Sequence, residues 1–246
     1  MVWSFPFCAI LLTIGKGWHR LAALAHDRRS LWGLVLAGHL VLINWTLYVW
    51  SVNAGHTLDA AMGYFINPLV SALLGVLVLR ERLSPAQWMA FGIGMVGHSS
   101  TPLISLGLAM SFGLYGLVKK VLGVAVKPAV GLIVETLATT PLALVYIGWG
   151  VARGKSTFTG SYSLLLVSAG ILTAVPLLMF AFAASRISLT TLGILQYISP
   201  LLQFLVGLFL FGEQMPWQRW VGFSLVWVAV VMFSAEGLIR LVRRTR

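Results

Sequence analysis

The chain has 246 residues, of which 59% are hydrophobic and only 9% are charged. Soluble domains carry about 25% charged residues, so this composition excludes an ordinary soluble protein and predicts a polytopic membrane protein in a lipid bilayer. The net charge of +11 lies in short clusters between apolar runs, which argues against a nucleic-acid partner. The single cysteine, Cys8, excludes an intramolecular disulfide and a thiolate metal site.

Nine apolar segments approach the length of about 20 residues that a helix needs to cross a bilayer. In chain order they are 2–18, 31–52, 58–79, 85–100, 102–118, 128–150, 162–184, 189–211 and 217–238. The segments 85–100 and 102–118 are short and would fit one long helix or a tight hairpin. The hairpin puts most of the 17 Lys and Arg residues on the cytoplasmic side, where positive charges concentrate, together with the C-terminus.

An internal repeat covers residues 64–91 and 196–223, which align without a gap. The alignment superposes residue types that apolar composition alone would not bring into register: Pro68 with Pro200, Gly75 with Gly207, Glu81 with Glu213, and Trp88 with Trp220. The repeat relates the third segment to the eighth. Because this offset of five helices is odd, the two copies have opposite orientations in the membrane. We therefore predict an all-α polytopic membrane protein built from two inverted-topology helical repeats, a design typical of secondary transporters.

The same pairing predicts the domain organisation. The first repeat comprises residues 1–101 and the second comprises residues 102–246. The segment 102–118 has no counterpart in the chain, and its counterpart would precede Met1. We therefore expect ten helices in the complete two-fold arrangement, of which nine are present, with the first repeat lacking its first helix.

Two matching polar stripes lie in the repeated segments. Residues spaced i, i+3 and i+7 share one face of a helix. The stripes are Tyr64, Asn67 and Ser71 in the first copy, and Gln196, Ser199 and Gln203 in the second. Each contains the repeated proline, which frees a backbone carbonyl that a cavity or a neighbouring helix must satisfy. We predict that both stripes line a central cavity and bind substrate, the alternative being interhelical hydrogen bonds worth roughly 0.6 kcal/mol each.

Four further residues are candidates for the site. Glu135 is the only acid well inside a predicted helix, where an isolated charge is costly. It is predicted either to couple transport to protons or to be a structural carboxyl bound to a neighbour. Asn44 and Tyr48 lie one turn apart in the second segment, with Trp45 beside them. These three could supply hydrogen bonds and stacking to a substrate, or Trp45 could simply pack.

A stripe of small residues in the fifth segment predicts close helix packing. Ser105, Ala109 and Gly113 recur at a spacing of four residues. Small side chains let helix backbones approach one another in a membrane. We expect this stripe to pack within the chain rather than to form a dimer face.

Several runs along the whole chain resemble the RarD branch of EamA-type permeases, in the drug/metabolite transporter superfamily. They are 44–45, 50–53, 63–70, 81–82, 111–120, 132–137 and 192–200, of which the run Tyr64-Phe65-Ile66-Asn67-Pro68 is fairly specific. The resemblance implies two five-helix repeats, a plasma (inner) membrane location and transport of small organic molecules. One departure is Arg80, which stands where the branch usually has Gly before Glu, whereas Gly212 keeps that glycine in the second copy.

The leading functional hypothesis is a secondary transporter, or permease, of small organic solutes or drugs that works by alternating access about a midplane site. The alternative is a non-transporting membrane scaffold or an intramembrane enzyme. The sequence contains no nucleotide-binding loop, hydrolase elbow or metal-binding histidine spacing, so we expect no enzyme activity, catalytic residue, metal or cofactor. The expected partners are a small-molecule substrate and lipid. Proton coupling is a hypothesis, and the sequence gives neither the substrate nor the oligomeric state.

Overall fold

A computed structural model describes residues 3–80, 102–123, 125–153, 161–196 and 198–212, and positions 217, 220, 221, 224, 227, 228, 231 and 235. All regular structure in this part of the chain is helical. The helices are α1 (Ser4–Ile14), α2 (Trp18–Leu24), α3 (Arg28–Asn53), α4 (Thr57–Leu79), α5 (Pro102–Leu122), α6 (Pro128–Ala152), α7 (Ser161–Arg186), α8 (Leu189–Gln196), α9 (Ile198–Leu205) and a π-helix (Val206–Leu210). The predicted all-α fold is confirmed.

Five of these helices, α3 to α7, contain stretches long and apolar enough to cross a membrane. They match the predicted second, third, fifth, sixth and seventh segments to within a few residues at each end. Large apolar side chains such as Trp32 and Leu103 are 70% and 79% exposed on them, as lipid-facing residues would be. The chain is therefore a polytopic all-α membrane protein.

One segment differs from the prediction, and two lie wholly or partly outside the described residues. The first segment, 2–18, is divided because Lys16 adopts a left-handed φ of 47°, which ends α1 and lets α2 begin at Trp18. The eighth segment, 189–211, is helical at every described position from Leu189 to Leu210, with position 197, between α8 and α9, outside the described residues. The fourth segment, 85–100, lies outside the described residues, and the ninth, 217–238, is described and helical at only a few positions.

The chain divides into two compact units. Unit 1 comprises Met1–Leu42 and Val118–Arg186, and unit 2 comprises Ile43–Leu117 and Ile187–Arg246. The boundaries fall inside α3 and α5. These units are groups of residues in mutual contact, whereas the predicted repeats, 1–101 and 102–246, are defined by sequence similarity. The division into repeats stays a prediction.

Unit 1 is held together by close backbone approaches. Helix α1 packs against α6 and α7, which also pack against each other. The Ser4 hydroxyl donates a hydrogen bond to the Gly170 carbonyl at 3.2 Å. A Cβ atom on Gly38 would lie 2.7 Å from the Glu135 carbonyl oxygen, so only glycine fits where α3 crosses α6. Such contacts between small residues are how helices associate in lipid.

In unit 2 the small-residue stripe of α5 packs against α4. The Ser105 hydroxyl donates to the Asp59 carbonyl at 2.9 Å. A Cβ atom on Gly63 would meet the Ser105 Cα at 2.9 Å, and one on Gly113 would meet the Val70 Cγ1 at 3.0 Å. The stripe therefore serves packing within the chain, as its spacing predicts.

Helix α4 ends in a left-handed residue, Arg80, with φ of 55°. The position related to it by the repeat, Gly212, has φ of 60°. Glycine adopts this conformation without strain and commonly terminates helices, whereas a residue with a Cβ pays about 1–2 kcal/mol. The same backbone geometry thus occurs in both copies, and the glycine missing from the first copy leaves Arg80 strained.

Candidate functional site

The predicted polar residues of α3 and α4 meet within unit 2, where Asn44 is the centre of a hydrogen-bond network. Its side-chain Nδ2 donates to the Leu108 carbonyl and to the Ser111 hydroxyl, both at 3.0 Å. Its Oδ1 accepts a hydrogen bond from the Tyr64 hydroxyl at 2.8 Å. Asn44 is 1% exposed. The amide therefore joins α3, α4 and α5 and orients Tyr64, which makes Asn44 a positioning residue.

Aromatic rings continue from this network. The Tyr48 and Tyr64 ring centroids are 5.8 Å apart, and the Trp45 ring meets Tyr48 edge-on at 6.2 Å. On its other side Tyr64 meets Phe112 edge-on at 6.3 Å. Phe112 is not among the predicted site residues, although it lies inside the run 111–120 that resembles the permease branch. Trp45 is 38% exposed and forms the margin of this aromatic group.

A second polar contact joins the two copies of the repeat. The Asn67 Nδ2 in α4 donates to the Gln196 Oε1 in α8 at 2.8 Å. Asn67 is 2% exposed. Its Oδ1 is buried and has no hydrogen-bond partner among the described residues. One residue further along α4, Pro68 packs against Gly193, where an added Cβ would lie 3.1 Å from the proline Cβ.

The contacts between the copies run in opposite directions along the chain. The contacting pairs are Leu58 with Gly207, Asn67 with Gln196, and Pro68 with Gly193. As residue numbers increase along α4, the numbers of the contacting residues decrease from the π-helix to α8. These parts of the two copies are therefore antiparallel. This arrangement is the one that an inverted repeat requires of its two central helices. The complete inverted repeat stays a prediction.

The other three residues of the two predicted polar stripes make no described contact with one another. Ser71 is buried on α4, one turn beyond Asn67. Gln203 is half-buried, and its Nε2 is buried without a hydrogen-bond partner among the described residues. Ser199 is exposed. The structure thus brings Asn67 and Gln196 together, whereas Ser199, the repeat equivalent of Asn67, lies at the surface of the described part of the chain.

Glu135 lies in unit 1 and is paired with Lys119. The Lys119 Nζ is 2.5 Å from the Glu135 Oε1, and the two residues are 5% and 1% exposed. Lys119 lies one residue beyond the predicted segment 102–118 but still within α5, because this helix continues to Leu122. A Cβ atom on Gly131 would lie 3.2 Å from the Lys119 Nζ, so this glycine makes room for the ammonium.

The ion pair accounts for the burial of Glu135, since an intramembrane charge is tolerated when it is paired. A signal for the partner exists in the sequence: a cation is one of the groups that can balance an acid inside a membrane helix, and Lys119 directly follows the preceding apolar segment, 102–118. The coupling role of Glu135 stays a prediction. In the described part of the chain, no three His, Cys, Asp or Glu side chains group as a metal site would require.

Comparison with known proteins identifies the family. The profile of the EamA-like transporter family matches residues 1–101. Protein RarD of Streptomyces exfoliatus is 44% identical over 256 residues, which cover 100% of this chain and 80% of that protein. An uncharacterized transporter of Vibrio cholerae is 41% identical over 248 residues, covering 97% of this chain and 82% of that protein.

The fold also matches a solved structure. A crystal structure of a protein that is 22% identical superposes with a TM-score of 0.58, covering 98% of this chain and 90% of the other. At that identity the likeness concerns the fold alone. The sequence relatives carry the assignment to a family: this chain belongs to the RarD-type branch of the EamA-like transporter family and is a membrane transporter.

Proposed function

We propose that the chain is a secondary transporter of small organic solutes, including drugs, which works by alternating access between two inverted repeats about a midplane site. The observation that carries this proposal is the hydrogen bond between Asn67 and Gln196, because it links the two repeated helices where they pack antiparallel. Substrate sites of secondary transporters lie where inverted repeats meet.

The chemistry of this region favours solutes that combine a polar group with an aromatic or apolar body. Tyr48 and Tyr64 offer ring faces, and Gln196 and Asn67 offer amide groups. The Asn67 Oδ1 has no hydrogen-bond partner among the described residues, and a buried polar atom left unpaired costs free energy. This oxygen is therefore an acceptor that a solute N–H or O–H would satisfy. These groups are uncharged at neutral pH, which suits neutral or amphipathic solutes.

The linking hydrogen bond is weak enough to exchange during transport. A hydrogen bond between membrane helices is worth about 0.6 kcal/mol, and at most about 1.7 kcal/mol. A solute that bonds to Asn67 and Gln196 would compensate for the loss of their mutual contact. We propose that this exchange lets the repeated helices separate at one side, with Ser71, Ser199 and Gln203 along the path and Trp45 at its margin.

Proton coupling is proposed at Glu135. A proton on this carboxyl would remove the charge that balances Lys119, so protonation and the packing of α5 on α6 are energetically linked. We further propose that the protein lies in the plasma (inner) membrane with its C-terminus in the cytoplasm, because the hairpin reading puts most Lys and Arg residues there.

The test is flux into proteoliposomes of labelled amphipathic drugs and amino acids, with and without a proton gradient. For a transported solute, Asn67→Ala and Gln196→Ala should each raise KM about threefold to tenfold, since each removes a contact worth about 1 kcal/mol. The matched control is Asn53→Ala, because Asn53 is exposed and bonds only to the Val49 carbonyl of its own helix among the described contacts.

Two results would count against the proposal. Absence of flux for every solute under every gradient would contradict secondary transport. Flux with an unchanged KM in both Asn67→Ala and Gln196→Ala would show that the substrate binds elsewhere.

A further inference from the structure

Unit 1 contains a cavity of about 390 Å³ that the proposed transport site does not include. It lies between α2 and the turns that precede α3 and α6. Its charged lining consists of Arg20, Asp27 and Lys127, all exposed, and its apolar lining includes Leu24, Val126 and Val130, all buried. The cavity thus combines a charged rim with an apolar floor.

The cavity is situated where membrane-spanning helices begin. Asp27 immediately precedes α3 and Lys127 immediately precedes α6, and both helices are candidate membrane spans. Helix α2 begins at Trp18, which is 48% exposed, and tryptophan favours the membrane–water interface. We therefore expect the cavity to lie at the level of the lipid headgroups and the upper part of the acyl chains.

The charges of the rim favour an anion. Arg20 and Lys127 contribute two cations against the single carboxylate of Asp27. That carboxylate is already engaged, because its Oδ1 accepts a hydrogen bond from the Ser30 backbone N–H at 3.2 Å at the start of α3. The hydrogen bonds from Ser30 also hold the pKa of Asp27 below its ordinary value, so the acid stays ionised at neutral pH.

We propose that this cavity binds the phosphodiester headgroup of an anionic phospholipid. Arg20 and Lys127 contact the phosphate, and Leu24, Val126 and Val130 contact the adjoining glycerol and acyl carbons. A guanidinium matches phosphate geometry with paired N–H donors, and an ammonium adds a point charge. Basic pockets between membrane helices on the cytoplasmic side are suited to such headgroups, and the hairpin topology puts both turns on that side.

The experiment is a native mass spectrometry titration of the full-length protein in detergent with three probes: dioctanoyl phosphatidylglycerol, dioctanoyl phosphatidylcholine and inorganic phosphate. We expect phosphatidylglycerol to bind more tightly than the other two. Removing a cation near a headgroup costs about fivefold in affinity, so Arg20→Gln with Lys127→Gln should weaken phosphatidylglycerol binding by about 25-fold. The matched control is Arg186→Gln, which removes a cation of unit 1 that does not line the cavity.

A second variant tests the same site in the opposite direction. Asp27→Asn removes the negative charge and keeps a side chain that caps a helix as well as aspartate does, so α3 should still form. Binding of phosphatidylglycerol should then strengthen by about fivefold. This gain keeps the proposal testable even if the double variant unfolds.

Three outcomes would overturn the proposal. The first is equal binding of phosphatidylglycerol and phosphatidylcholine by the wild-type chain. The second is equal binding of phosphatidylglycerol by the double variant and the Arg186→Gln control. The third is inorganic phosphate binding as tightly as phosphatidylglycerol, which would identify a site for free phosphate and leave the apolar floor without a role.

Discussion

Replacing Glu135 with glutamine should strongly destabilise unit 1. The change removes the carboxylate that lies 2.5 Å from the Lys119 ammonium, and Lys119 is only 5% exposed. Breaking a buried ion pair by removing one partner typically costs about 3–5 kcal/mol, because the other charge is left in a medium that solvates it poorly. We therefore expect a loss of this size in the free energy of unfolding for Glu135→Gln.

The paired variant Lys119→Met with Glu135→Leu separates charge balance from packing. Replacing both members of a buried ion pair with apolar residues is often neutral or stabilising, because the cost of desolvating two charges disappears. We expect the free energy of unfolding of this double variant to lie within about 1 kcal/mol of the wild-type value, or above it. Unfolding in mixed detergent and sodium dodecyl sulfate micelles, followed by tryptophan fluorescence, measures both variants.

The stable double variant also decides between a structural and a coupling role. If Glu135 couples transport to protons, the variant should fold and retain solute exchange but lose the response of flux to a proton gradient. Wild-type stability of Glu135→Gln would refute the buried ion pair as described. A full response to the gradient in the double variant would make Glu135 a structural group.

The remaining predictions concern packing. Each gives a change in the free energy of unfolding, which unfolding in mixed micelles measures. Asn44→Leu should lower the free energy of unfolding by roughly 2 kcal/mol, because it removes three interhelical hydrogen bonds. The control Asn53→Ala, at an exposed position, should lower it little. Equal losses would contradict the place of Asn44 at the centre of the hydrogen-bond network. Arg80→Gly should raise the free energy of unfolding by about 0.5–1 kcal/mol, because the relief of about 1–2 kcal/mol of left-handed strain is partly offset by the greater freedom of glycine in the unfolded chain. Arg80→Ala keeps a Cβ and should not raise it. Gly63→Ala should lose about 1–3 kcal/mol, since its Cβ would lie 2.9 Å from the Ser105 backbone. The control Gly148→Ala meets no atom within 4 Å and should be neutral or slightly stabilising. Equal effects of the two glycine substitutions would contradict the close approach of α4 and α5.

The long apolar helices were predictable because their physical requirement is simple. A bilayer demands about 20 apolar residues and internal hydrogen bonding, and α3 to α7 meet both conditions. The predicted segment 2–18 runs through the turn that separates α1 from α2, although Gly15 and Gly17, on either side of the left-handed Lys16, are residues that commonly mark turns. The predicted segment 102–118 stops short of Lys119 because composition alone does not show whether a helix continues past a pair of charged residues.

The sequence predicts the residues of the candidate site but not the contacts between them. The repeat equates Asn67 with Ser199, yet Asn67 bonds to Gln196. Equivalence under a sequence repeat says which residues occupy corresponding positions in the two copies, whereas antiparallel packing pairs residues in reversed order. The hydrogen-bond network at Asn44 includes the Leu108 carbonyl and the Ser111 hydroxyl of a different helix. These hydrogen bonds follow from the close packing of α3, α4 and α5. The spacing of residues within one helix does not show which other helices pack against it.

The most direct test of alternating access at the Asn67–Gln196 contact is the accessibility of that position from each side of the membrane. In a Cys8→Ala background, Gln196→Cys would be the only thiol in the chain. A membrane-impermeant maleimide is applied to right-side-out and to inverted vesicles, with and without a transported solute. We expect labelling from both sides and protection by the solute. Labelling from neither side, or labelling that the solute leaves unchanged, would contradict a substrate site where the two repeated helices meet.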